Sequence, residues 1–323
     1  FMTHLFGGSA GREGVAVQIG GTIGFRTGKF VRDFNAARIL LIAGMAAGFA
    51  GLFRTPLAAI FFALEVLIAG ELSYEALIPT IVASFTSSIV AGMCGIGKEY
   101  IPLHFVVNFT PIFCVKLVVL SLAFGIAGQL FSGSINKLRA WLPKLIPDSR
   151  KRIFIFGIGL SGLLLVCGHG RYTGLGLNLS EMVYLGTGHI YWFDWLLKLI
   201  FTVITLSAGF QGGELTPLFC IGSTLGAVLA IPLGLPVTLC AALGYAAVFG
   251  SATNTLLAPV IIACEVFGFR YMPSFFIVCA LAYAFNGNHT IYPRQKCLSP
   301  SFSSYAYRKK MEENETKANK SNI

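Results

Sequence analysis

The chain reads as a succession of long apolar runs separated by short polar or glycine-rich stretches. The runs cover residues 15–25, 38–53, 56–69, 77–93, 111–133, 153–167, 191–207, 215–233, 236–249, 255–268 and 272–286. They are continuous and predict helices, whereas the strands of a membrane barrel would alternate over about ten residues. Several approach the roughly 20 residues that cross a hydrocarbon core of about 30 Å. Others are too short, and breaks such as Arg54-Thr55-Pro56 and Gly212-Gly213 interrupt the pattern. Helices that stop at mid-membrane are a mark of transporters that build a site there.

The pattern also repeats. Shifted by 200, residues 44–66 (GMAAGFAGLFRTPLAAIFFALEV) superpose on 244–266 (GYAAVFGSATNTLLAPVIIACEV), with 10 of 23 positions identical, Thr55 and Glu65 among them. Upstream, Gly11-Arg12-Glu13-Gly14 corresponds to Gly212-Gly213-Glu214-Leu215, each followed by small residues at Gly20/Gly24 and Gly222/Gly226. Shared apolar composition does not place Thr and Glu at one common offset, so the duplication is genuine. A transmembrane domain is expected over residues 1–307, with the C-terminal part of a first repeat at about 1–95 and a second repeat at about 110–290.

Composition sharpens the class. Of 323 residues, 55% are hydrophobic and 12% charged, with a mean hydropathy of +0.74. Soluble domains carry about 25% charged residues, so this chain is an all-α polytopic membrane protein of short, broken helices. The net charge of +10 does not point to nucleic acid, because the cations cluster beside apolar runs at 26–38, 137–152 and 294–320. Such clusters mark cytoplasmic loops, and the first two agree in orientation. Residues 308–323 (RKKMEENETKANKSNI) have no apolar face and read as a solvated cytoplasmic tail. No secretory leader precedes the first glycines, and a chain that starts this close to a central motif is expected to be a fragment.

Ionisable residues inside apolar runs are the candidates for chemistry, because burying them in a membrane is costly. Four glutamates qualify: Glu13, Glu65, Glu214 and Glu265. Glu13 lies in GGSAGREGVAVQIGG, where glycines let the backbone approach a ligand and the next helix offers free N–H groups. Such a place holds anions without a fixed cation, and a carboxylate there acts as a tethered anion that leaves when protonated. Glu214 occupies the matching place, with Pro217 near a helix start. Glu65 and Glu265 are expected to be structural, facing a membrane surface or pairing with backbone at a helix contact. The glycine run lacks the lysine of a phosphate-binding loop, and no nucleophile elbow occurs. Five histidines and eight cysteines never take ligand spacing, so no metal or cofactor is expected. Tyr292, beside Pro293, reads either as an interfacial tyrosine or as a donor to an anion.

At these residues the sequence resembles the CLC family of chloride channels and anion/proton antiporters. GREGVAVQIGG at 11–21 is similar to the family's GREGP-type motif, AAGFAGLFRTPLAAIFFALEV at 46–66 to the broken helix pair after it, and GGELTPLFCIGSTLG at 212–226 to its GGxFxP motif. The resemblance implies a homodimer, one pore per subunit and an inverted repeat, with anions held at opposed helix N-termini. It makes Glu13 the external gate and proton carrier and places Tyr292 where the family has its central anion-contacting tyrosine. Departures narrow the branch. Val15 stands in place of a proline, and Glu214 with Thr216 looks like the fluoride-transporting branch. Val66 replaces the acidic internal proton station of chloride/proton antiporters, a part that Glu214 is placed to take.

The expected function is fluoride/proton exchange across the cell membrane. Glu13 and Glu214 handle protons, while Gly11, Arg12, Gly14, Val15, Gly213, Leu215, Thr216 and Tyr292 surround the anion. Amides near Gly14, Val15, Glu214 and Leu215 replace hydration, and Thr216 and Tyr292 add hydroxyls. The rivals are a chloride channel or chloride/proton antiporter and, more remotely, an intramembrane enzyme using the two glutamates as acid and base. The family's first motif, expected before residue 1, supplies the intracellular part of the site.

Overall fold

The computed structural model describes residues 2–297 apart from 6, 32–34, 106 and 169; the expected tail at 308–323 and His169 lie outside the described residues. Thirteen α-helices occur among the described residues: α1 (Met2–Leu5), α2 (Glu13–Gly28), α3 (Ala36–Phe53), α4 (Pro56–Glu65), α5 (Leu77–Met93), α6 (Pro111–Leu145), α7 (Ser149–Val166), α8 (Leu177–Leu185), α9 (Asp194–Ala208), α10 (Leu215–Leu233), α11 (Val237–Thr253), α12 (Leu257–Phe267) and α13 (Met272–Phe285). Two stretches, Ala36–Phe53 and Leu215–Leu233, and the longer spans Tyr74–Met93 and Pro111–Leu145, are long and apolar enough to cross a membrane. The breaks read from sequence are where helices stop. Departures include α8, a nine-residue helix whose apolar positions are interrupted by Asn178, Ser180 and Glu181, and α6, which runs on to residue 145 through Pro143. Thr110 caps α6, its hydroxyl accepting from the Phe113 amide, and 35 residues at about 1.5 Å each make it longer than a bilayer core is thick.

The repeat is visible element by element. α2 to α5 match α10 to α13, each last pair entered by a one-turn 3₁₀ helix (Tyr74–Ala76 and Phe269–Tyr271). α3 ends on Arg54 at φ 54° and α11 on Asn254 at φ 55°, two left-handed caps 200 residues apart. Within each copy the first two helices touch backbone to backbone. A Cβ on Gly20 would lie 2.1 Å from the Gly44 carbonyl oxygen, and one on Gly222 2.0 Å from that of Gly244.

The copies are joined by reciprocal contacts, the signature of a two-fold relation. The Glu65 carboxylate accepts from the amides of Leu256, Leu257 (3.0 Å) and Ala258 (3.2 Å) at the start of α12. Glu265, on α12, accepts from Ala58 (2.8 Å) and Leu57 (3.4 Å) at the start of α4. Each glutamate thus satisfies the open amides of the other copy's helix, the backbone-pairing role expected for them. Between the copies, Phe62 lies 6.0 Å from Phe249, and Phe53 meets Phe219 edge-on at 5.9 Å. The segment after α13 threads back through this junction. The Ile291 amide donates to the Ala252 carbonyl (2.9 Å), the Gln295 side-chain amide donates to the carbonyls of Val66 and Thr253 (3.0 Å each), and Ile68–Ala69 pairs in parallel with Lys296–Cys297. Outward faces carry Ile78, Val82, Val115, Phe154 and Ile158, all well exposed, an apolar exterior that suits lipid.

Candidate anion site

The two loops that precede α2 and α10 meet edge to edge. The Gly11 amide donates to the Gly213 carbonyl (2.7 Å) and the Gly213 amide to the Gly11 carbonyl (2.8 Å), a one-rung antiparallel pairing. The rung places the N-termini of α2 and α10 side by side, so both sets of unsatisfied amides converge. Glu13 and Glu214 begin these turns on opposite sides of the rung.

Glu13 is 1% exposed. Its carboxylate is faced by the backbone amides of Arg12, Glu13 itself and Thr216, the last from the opposite loop. Oε2 has no hydrogen-bond partner among the described residues. That oxygen is wedged between glycines: a Cβ on Gly11 would lie 2.0 Å from it and one on Gly213 2.6 Å away. No other residue type fits at either position while the carboxylate stays, which is the close approach the glycine motifs provide. The carboxylate sits on an amide-lined seat without a neutralising cation beside it; the nearby Arg12 side chain is exposed.

Glu214 has a different setting. Its Oε1 takes a 2.6 Å ion pair from Arg139 Nη2, at the basic end of α6. Both line a cavity of about 930 Å³, with Gly14, Gln18, Thr22, Gln211, Leu215 and Tyr292 also on its wall. Glu13 is not among the residues that line that wall, whereas its neighbour Gly14 is. Thr216 is buried, and its hydroxyl has no partner among the described residues. Of the residues singled out in sequence, Gly11, Glu13, Gly14, Gly213, Glu214, Leu215 and Thr216 meet at the rung. Tyr292 lines the cavity, on a segment that Asn136 steadies by donating to the Thr290 carbonyl (2.7 Å). The side chain of Val15 is 45% exposed and points away, so only its amide can contribute.

Two cations escaped the sequence reading. Arg139 lay within a basic cluster and looked like loop decoration. Lys198 sits inside an apolar run, a signal as plain as that of the glutamates. It is wholly buried in α9, where its ammonium donates to Ser9 Oγ (2.9 Å) and to the carbonyls of Tyr172 (3.1 Å) and Gly174 (2.8 Å). Ser9 belongs to the loop ahead of Glu13, so Lys198 pins that loop to the body of the second copy.

Comparison with known proteins agrees with this geometry. A family model for the voltage gated chloride channel matches residues 1–287. A chloride/fluoride channel protein of Pseudomonas syringae pv. tomato is 38% identical over 300 residues, covering 91% of this chain and 66% of its own length. The crystal structure of a CLC-type fluoride/proton antiporter is 51% identical with a TM-score of 0.89, covering 92% of this chain and 75% of that one. A slow cyanobacterial Cl⁻/H⁺ antiporter shares the fold at 21% identity and a TM-score of 0.75, over 97% and 75% of the two chains. The reciprocal helix caps, the rung between two glycine loops and these matches have one reading: the chain is a membrane protein of the voltage gated chloride channel family, with the CLC-type fold.

Proposed function

We propose that the protein exchanges fluoride for protons across the cell membrane as a homodimer, with Glu13 as the moving part. The observation that carries this reading is the Glu13 carboxylate, buried on an amide-lined seat with one oxygen unpaired. A seat of backbone amides takes one negative charge at a time. While ionised, Glu13 fills it. Once protonated, it loses its hold and swings away with its proton, and an anion takes its place. Anion and proton movements are thereby tied to one carboxylate. Glu214, on the cavity wall, is placed to pass protons between the cavity and Glu13, and Thr216 and Tyr292 offer hydroxyls to a small anion with tightly held water. The 51% identity to a CLC-type fluoride/proton antiporter favours fluoride.

The test is efflux from liposomes carrying the purified full-length protein, followed with fluoride, chloride and pH electrodes. Fluoride efflux with opposed proton movement, both lost in Glu13→Gln, is the expected result. Chloride flux that ignores pH would sink the fluoride/proton reading and leave a chloride channel.

A further inference from the structure

Among the described residues two arginine–carboxylate pairs close to 2.6 Å, and they are built differently. Arg171 and Asp194 form a two-pronged pair, Nε to Oδ1 at 3.1 Å and Nη2 to Oδ2 at 2.6 Å. The Tyr172 hydroxyl (2.6 Å) and the Tyr191 amide (2.8 Å) complete the carboxylate, which is wholly buried. That pair is closed on itself and has no room for a ligand. Arg139 and Glu214 meet through one nitrogen and one oxygen, with side chains 34% and 16% exposed on a cavity wall. Among the described residues the Arg139 guanidinium has no other hydrogen-bond partner, so most of its five donors are open on a side chain that lines the cavity. A single-pronged, half-exposed pair adds little stability. A guanidinium with open donors beside a 930 Å³ cavity is, by contrast, well made for holding an anion.

We infer that Arg139 is the docking cation for a small inorganic anion at the cavity, and that Glu214 is the anion's competitor for it. The inference rests on the anion-transport reading of the same site and adds a residue and a sequence of contacts to it. With the cavity empty, Glu214 occupies Arg139. An arriving anion takes over the guanidinium and displaces the carboxylate, so the pair opens only when cargo is present. The rung lies close to this pair, since a Cβ on Gly14 would lie 3.9 Å from Glu214 Oε2 and 3.4 Å from the Gly213 α-carbon.

The experiment measures sodium fluoride in two ways, equilibrium binding to the purified full-length protein and concentration dependence of efflux from liposomes. Arg139→Gln is expected to raise both the dissociation constant and the KM about tenfold, the loss of one charge-assisted contact, with the maximal rate changed less than about twofold. Arg139→Lys, which keeps the charge without the fork, recovers part of that loss. Glu214→Gln removes the competitor and tightens fluoride binding. The doubly substituted protein separates docking from plain structure: a docking cation leaves it as weak as Arg139→Gln alone, whereas a structural pair predicts wild-type affinity once both charges are gone. Unchanged fluoride affinity in Arg139→Gln, or wild-type affinity in the double variant, overturns the inference. Weakened binding in Arg139→Gln alongside wild-type efflux without proton movement keeps the docking role and removes the antiporter reading instead.

Discussion

Two pairs of glutamates stand at repeat-related positions, and they part company. Glu65 and Glu265 keep the symmetry: each accepts from the opening amides of the other copy's helix. Glu13 and Glu214 break it. One is sealed on an amide seat with no ion pair among the described residues, and the other lies on a cavity wall and pairs with Arg139. A duplicated scaffold held by equivalent contacts needs both members to do the same work. Two carboxylates with different tasks need different surroundings. On the proposed reading, the divergent pair is the working part of a molecule whose matched pair holds it together.

The sharpest way to break this contrast is at Glu13. Glu13→Gln keeps the shape and removes the titration, and proton-coupled efflux is expected to fall by roughly two orders of magnitude. Thermal unfolding in detergent should stay near that of the wild type, because the substitution relieves a buried charge. A drop in unfolding temperature would make Glu13 a structural cap like Glu65. Next in size is Gly11→Ala. Its methyl would enter the space of Glu13 Oε2, so the carboxylate must leave its seat; the expected result is fluoride leak that no longer follows proton movement. Efflux that remains tightly coupled would show that the seat is not where Glu13 works.

The matched pair should respond in the opposite manner. Glu65→Ala and Glu265→Ala each strip a helix start of its acceptor and should destabilise the fold by about 1–3 kcal/mol, read as earlier unfolding in denaturant. The proton-to-fluoride ratio of the folded fraction should not move, and a changed ratio would place these residues in the transport path. The smallest effect is expected at Thr216. Its hydroxyl has no partner among the described residues, so Thr216→Val should leave stability alone and weaken fluoride affinity by several-fold. Equal affinity would remove the hydroxyl from the anion's shell.

Much of this was legible in the chain itself. The interrupted apolar runs fell close to the helices, because Gly-Gly and Thr-Pro breaks stop a helix by local backbone chemistry. The shared offset of Thr55/Thr255 and Glu65/Glu265 exposed the duplication, and the glycines around Glu13 marked a place where backbone must come close. The 35-residue span of α6 was not legible, since residues 134–145 are polar enough to look like a loop while remaining helical. Arg139 was hidden for the same reason, as one basic residue among several. Lys198 could have been found by applying to cations the rule used for glutamates inside apolar runs.

The sequence by itself determined the class, the repeat and the residue types at the two helix starts. These depend on burial and on local backbone preferences, which act along the chain. Only the tertiary structure decided that Gly11 pairs with Gly213, that Glu65 serves α12 rather than its own copy, and that Arg139 reaches Glu214 from 75 residues away. Apolar periodicity states which face of a helix is buried and never against what. Partners at such separation are chosen by how the copies pack, and here that packing makes Glu65 and Glu265 alike and Glu13 and Glu214 different.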